Sequence, residues 1–158
     1  MKKIDIHLNA KEDYINNYNE KILSYDLSNY ILEELKGLSP KEKIEFLVST
    51  EFDLSLDEKD NLVWMIRNNF GADITEIINL SRKQRVTNYI ISIIAIILLL
   101  IYSILEIELI SEFVLIFAWV LLGEAICNFL YNSMENTYKI KRRKQIVNAK
   151  VCFEEKRD

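Results

Sequence analysis

Two apolar runs dominate the hydropathy pattern of this chain: residues 86–105, VTNYIISIIAIILLLIYSIL, and residues 113–131, FVLIFAWVLLGEAICNFLY. A helix needs about 20 mostly apolar residues, at ~1.5 Å per residue, to cross ~30 Å of hydrocarbon. The first run is uncharged, with Thr87, Asn88, Ser92 and Ser103 toward its ends; the second contains Glu124 and Asn128. Ordinary strands are far shorter, so the pattern predicts two transmembrane helices. The other use of such runs is a soluble helical hairpin buried in an oligomer core. The linker 106–112, EIELISE, is short enough to make the helices antiparallel neighbours.

Elsewhere the pattern changes period. Residues 3–9 alternate, with Ile4, Ile6 and Leu8 on one side and Lys3, Asp5 and His7 on the other, which predicts a strand with one wet face. The Asn-rich stretch 10–20 reads as a loop. Residues 27–36 predict a helix with Ser28 or Asp26 as N-cap and Gly37 as its stop. Residues 43–50 fit two periods. Ile44, Phe46 and Val48 alternate, whereas Ile44, Leu47 and Val48 would line a helix behind Ser39, Pro40 and Glu42; strand is preferred. Residues 56–70 predict a helix opened by a Ser55–Glu58 capping box, with Leu62, Val63, Ile66 and Phe70 on one face and Gly71 as a left-handed stop. Asp73 would cap a further helix, and no breaker separates that helix from the first apolar run. The second run is expected to continue as helix past Tyr131. Residues 150–154 alternate again and predict a last strand that rejoins the N-terminal sheet.

The fold class expected is an α+β membrane protein: an antiparallel two-helix transmembrane hairpin with a small cytoplasmic α/β domain. Its parts are residues 1–73 (cytoplasmic domain), 74–85 (juxtamembrane helix), 86–105 and 113–131 (spans), 106–112 (extracytoplasmic loop) and 132–158 (basic cytoplasmic tail with the candidate strand). Charge refines this layout. Twelve Lys and Arg face sixteen Asp and Glu in residues 1–85, but eight face five in residues 113–158, and the linker adds three glutamates. Arg82, Lys83 and Arg85 precede the first run; Lys139, Lys141, Arg142, Arg143 and Lys144 follow the second. Basic residues favour the cytoplasmic side, which places both termini in the cytoplasm of a cell-membrane protein. The same eight residues are the expected contacts to anionic lipid. Tyr138 alone does not make an aromatic platform, so nucleic acid is not an expected partner. The start, MKKIDIHLN, has no apolar core of a cleaved signal peptide, and two cysteines do not suggest a disulfide scaffold.

Glu124 is the sharpest chemical feature. It lies ~16 Å along the second run at ~1.5 Å per residue, near mid-bilayer, where an ionisable side chain costs on the order of 3 kcal/mol. Antiparallel pairing would set it level with Ile94, with Ser92 as partner, and Asn128 level with Ile90. Glu124, Asn128 and Tyr131, spaced four and three apart, join Asn88 and Ser92 in an expected polar seam. Such a seam holds membrane helices together, and the leading expectation is a non-enzymatic, membrane-anchored interaction or assembly module, homo-oligomeric and open to a cytoplasmic protein partner. The alternative is an oligomeric channel or proton-linked device using Glu124. His7 and Cys152 would meet only if the last strand paired with the first, forming a Cys–His couple. No metal-ligand set, Gly-rich phosphate loop or catalytic constellation is visible, and no cofactor is expected.

The order of parts resembles a family of small, uncharacterised prokaryotic two-span integral membrane proteins with an N-terminal α/β region. The matching residues are Asp26-Leu27 with Tyr30-Ile31, Ile66-Arg67-Asn68-Asn69-Phe70, Ala118-Trp119-Val120 and Leu130-Tyr131. Ala118 stands where that family usually has Gly before Trp-Val, and Gly123 where it has a second Trp. The resemblance implies the same layout, with a strand at residues 43–50, and no particular activity.

Overall fold

A computed structural model describes residues 2–104 and 107–154. Met1, Leu105, Glu106 and residues 155–158, onto which the readings of the first domain, first run, linker and tail extend, lie outside the described residues. The protein is α+β with two long apolar helices and a small strand region. The chain divides into two compact units: Met1–Thr75 together with Tyr138–Asp158, and Glu76–Thr137.

The first unit is built on a three-stranded parallel sheet. Strand β1 (Lys2–Leu8) buries Ile4, Ile6 and Leu8 and exposes the residues between them, as its alternation predicts. Strands β2 (Ile15–Asn16) and β3 (Asn19–Leu23) form a small antiparallel hairpin. The stretch expected to be a loop therefore carries structure: a 3-10 turn, Lys11–Asp13, and this hairpin. Asparagines make the hairpin's tight bend, because the Asn16 and Asn19 side-chain carbonyls accept from the Tyr18 and Lys21 amides at 2.9 and 3.0 Å. Tyr14 and Leu23, each 2% exposed, anchor it to the core.

Helix α1 (Tyr25–Glu34) is capped by Ser24, not by Ser28 or Asp26. The Ser24 hydroxyl accepts from the Leu27 amide at 3.2 Å and donates to the Asp13 carbonyl at 2.5 Å, so the cap also ties the helix to the turn before it. Asp26 sits in the first turn, where its charge suits the helix dipole. Gly37 does end the helical region, at φ +83°, a conformation that a Cβ disfavours.

Strand β4 (Ile44–Thr50) is the strand expected at residues 43–50; it lies between its two partners, parallel to β1 from Lys2↔Ile44 to Leu8↔Thr50. Strand β5 (Lys150–Phe153) pairs with the other edge of β4, again parallel, with Phe46 opposite Val151. The last strand thus joins the N-terminal sheet, but beside β4 and not β1.

Helices α2 (Leu56–Tyr102) and α3 (Glu108–Val147) supply the rest of the core with their domain ends. Leu62, Met65, Ile66 and Phe70 on α2, and Ile146 near the end of α3, are at most 1% exposed and pack with Ile31 of α1 and Leu35 at its C-cap over one sheet face. Gly71 does not stop α2, and Asp73 does not open a new helix. Gly71 keeps a helical φ, and its carbonyl accepts from the Thr75 hydroxyl at 3.2 Å. A glycine inside a helix costs only about 1 kcal/mol relative to alanine, too little to break a helix propagating on both sides.

The capping box of α2 is formed as expected. The Ser55 amide donates to the Glu58 carboxylate at 2.9 Å, and the Glu58 amide to the Ser55 hydroxyl at 3.3 Å. Lys11 adds an ion pair to Glu58. Hydrogen bonds from Lys11 first, then from the Ser55 backbone and hydroxyl, bring the Glu58 carboxyl down to about 2. A depressed carboxylate stabilises the fold above its unfolded value, and that contribution disappears as pH falls toward the folded value. Ser55→Ala is expected to cost about 1 kcal/mol. For Glu58→Gln, the difference in unfolding midpoint from the parent chain should be full above about pH 5 and close between the ordinary carboxylate range and about pH 2. Thermal unfolding of both chains across this range checks it; a gap that persists undiminished at the acid end counts against it.

Candidate functional site

The second unit, Glu76–Thr137, holds the apolar segments. Helices α2 and α3 each contain an 18-residue window of high mean hydropathy, 2.0 and 2.2, long and apolar enough to cross a membrane. Only 11% of each window is buried within the molecule. Four residues of the unit are buried among those described: Asn88 and Ala95 on α2, Ala118 and Ala125 on α3. Each pair is seven residues apart, the repeat that keeps one helix face on its neighbour. Three of the four are alanines, whose small side chains permit close backbone approach. Gln84 and Asn136 join the two helices with a hydrogen bond of 3.1 Å.

This phase separates the residues of the expected polar seam. Asn88 is buried and Ser92 and Asn128 are half-buried, but Glu124 and Tyr131 are exposed, Tyr131 by 70%. Ser92 does not partner Glu124: its hydroxyl donates to the Asn88 carbonyl in its own helix at 2.8 Å, the usual local outlet for a helical serine. Because Ala125 takes the shielded position, its neighbour Glu124 is turned out of the seam, and no hydrogen bond or ion pair of Glu124 is formed within the described residues. Asn88 therefore belongs to the hairpin's own contact, Asn128 lies at its margin, and Glu124 and Tyr131 belong to its outer surface. Gly123 and Cys127, small residues that would suit close packing, also lie outside the seam.

The eight basic residues also divide. Arg82, Lys83 and Arg85, in the second unit, are exposed, as are Lys139, Lys141 and Lys144 in the first. Arg142 and Arg143 are not free for lipid. Arg142 is 5% exposed and donates to the Leu38 carbonyl at 2.7 Å, to the Gln145 side chain at 3.1 Å and to the Tyr138 hydroxyl, with its guanidinium 5.2 Å from the Tyr138 ring. Arg143 pairs with Asp73 at 2.9 Å. The basic segment is the last part of α3, and a helix lying on a core turns some residues inward whatever their charge. Ile146 and Ala149, both buried, mark that inward side.

On the wet sheet face, His7 and Cys152 do not form a couple, because β4 lies between their strands. His7 Nδ1 is 3.0 Å from the Ser49 hydroxyl, its register partner, and Nε2 is 3.6 Å from Glu51. Cys152 donates instead to Glu45 at 3.2 Å, and Lys150 lies 3.5 Å from the same carboxylate. The Cys152 hydrogen bond first, then the charge of Lys150, holds the Glu45 carboxyl below its ordinary range. Asp5 and His7 leave this face open to solvent beside β1, where parallel sheets are ordinarily covered on both sides. Among the described residues no group of three or more His, Cys, Asp and Glu is arranged to hold a metal ion.

Comparison with protein-family models, curated proteins and solved structures finds no match to this chain.

Proposed function

We propose that the chain is an integral membrane protein of two spans with both termini cytoplasmic, and that it serves as a non-enzymatic, self-associating assembly module. In this reading it belongs with the small prokaryotic membrane proteins whose layout it resembles. The observation that carries the proposal is the outward placement of Glu124 on a surface otherwise made of residues such as Ile116, Phe117, Trp119 and Val120, each at least 60% exposed. A continuous apolar surface of this kind is foreign to a soluble monomer, and lipid covers it without further cost. A mid-span carboxyl facing lipid carries a penalty on the order of 3 kcal/mol, which a hydrogen-bonding group of a second copy relieves. Arg82, Lys83, Arg85 and Lys139 hold the ends of the spans at anionic headgroups.

Expected results separate this reading from its rival. Glu124→Leu removes both the penalty and the hydrogen bond, so self-association in lipid should weaken about tenfold, corresponding to the 1–2 kcal/mol of such contacts between model membrane helices. Glu124→Gln keeps the hydrogen bond and should associate nearly as well as the parent chain. Cross-linking across a dilution series in lipid measures both. Association of the leucine variant at the parent's strength defeats the proposal. The second reading, an oligomeric proton-linked device, draws on the same residue, since several copies around an axis would bring their Glu124 carboxyls together. Proton flux into liposomes that Glu124→Gln abolishes would favour it over simple assembly.

A further inference from the structure

A cleft in the first unit gathers positive charge from three separate parts of the chain. Lys41 and Lys43 lie on the segment entering β4, Lys141 and Lys144 on the end of α3, and Lys150 at the start of β5; together they line a cavity of about 560 Å³. Glu42 is the one carboxylate on its wall. Among the described residues, Lys41, Lys43, Lys141 and Lys144 form no ion pair, and Lys150 has only Glu45, at 3.5 Å. The chain as a whole carries a charge of −4, so this concentration of ammonium groups runs against its average. Like charges held together in a cleft focus a field that draws in a ligand of opposite charge.

The cleft is held in shape by buried groups. Gln145, 9% exposed, donates to the carbonyls of Ser39 and Glu42 at 3.2 and 2.7 Å, and Arg142 donates to that of Leu38. These two side chains pin the segment bearing Lys41 and Lys43 against the helix bearing Lys141 and Lys144. The carboxyl end of α3 contributes about half a negative charge nearby, and Glu42 and Glu45 add theirs, which five ammonium groups still outweigh.

We infer that this cleft binds a phosphate group carrying close to two negative charges, either from a soluble phosphate compound or from the headgroup of a lipid. A phosphomonoester or terminal phosphate has that charge and several acceptor oxygens, and flexible lysines bind phosphate as point charges without demanding one fork geometry. The site is independent of the self-association proposed above, since none of its residues lies in the apolar unit.

The test uses the full chain in neutral detergent, titrated with inorganic pyrophosphate in one arm and dioctanoyl phosphatidic acid in the other, with dioctanoylglycerol as the uncharged control. Saturable binding of either phosphate probe, weakened by added salt, is expected. The double variant K43Q/K144Q should bind about tenfold more weakly or worse, the loss of two exposed charge contacts. K21Q/R67Q removes the same charge from exposed sites outside the cleft and should change affinity less than about twofold. Binding of pyrophosphate alone assigns a soluble ligand, of phosphatidic acid alone a headgroup, and of both the phosphate itself. No binding above the control, or equal weakening in the two double variants, overturns the inference. The exchanged side chains are exposed, so matched unfolding midpoints will show that lost binding is not lost folding.

Discussion

Truncating Phe46 to alanine is expected to destabilise the first unit by about 3–5 kcal/mol. Phe46 is fully buried at the centre of β4, paired with Ile4 on one side and Val151 on the other. Removing its ring opens a cavity between the sheet and the three helices that cover it, and two flanking strands prevent β4 from shifting to fill the space. Small domains have about 5–15 kcal/mol of total stability, so the variant should lose a large part of the cooperative transition. Denaturant unfolding of the full chain in neutral detergent, followed by the near-ultraviolet signal of Trp64, which lies on α2 in this unit, measures the change. A loss under about 1 kcal/mol would mean that the site collapses freely and that the packing around β4 is looser than described.

Arg142→Ala should cost about 3 kcal/mol, toward the upper end for hydrogen bonds made by a charged group. Arg142 is nearly buried, and among the described residues no carboxylate is bonded to it; its donors go to the Leu38 carbonyl, Gln145 and Tyr138. Alanine leaves those acceptors without the guanidinium, loses the packing of its stem, and frees Gln145 to let go of Ser39 and Glu42. Arg142→Lys should recover less than half of the loss, because an ammonium does not reproduce the planar fork. Unfolding free energies of the three chains, with protease cleavage within residues 38–43 as a second readout, test the point. Full rescue by lysine would show that charge, and not geometry, fastens the segment.

The parts legible in the sequence were those where one period dominates. β1 and β5 alternate, Ser55 and Glu58 announce the start of α2, and the two apolar runs stand out against everything else. The Asn-rich hairpin was hidden because its strands are short and its bend depends on Asn16 and Asn19 side chains bonding to nearby amides, which composition alone does not distinguish from a loop. Gly71 misled for a related reason: a glycine permits a left-handed stop without requiring one. The seam carried a usable signal in Asn88 with Ala95 and Ala118 with Ala125, each seven apart. Pairing polar residue with polar residue points to Glu124, whereas close packing is set by small side chains; of the four that the second run offers for it, Ala118, Gly123, Ala125 and Cys127, the two alanines are the buried ones. In the basic segment, charge masks the inward face that Ile146 and Ala149 reveal, and charge alone does not tell Arg142 from its solvent-facing neighbours.

The order of strands in the sheet has a consequence for biogenesis. β4 is the middle strand, yet its second neighbour, β5, follows about 100 residues later, after both apolar segments. At about 5–20 residues per second of synthesis, the nascent chain waits roughly 5–20 s with one side of β4 unpaired. During that interval the ribosome delivers the greasy hairpin while the half-made sheet presents bare backbone donors and acceptors to any passing strand. Closure of the sheet is therefore a late event in the life of each molecule.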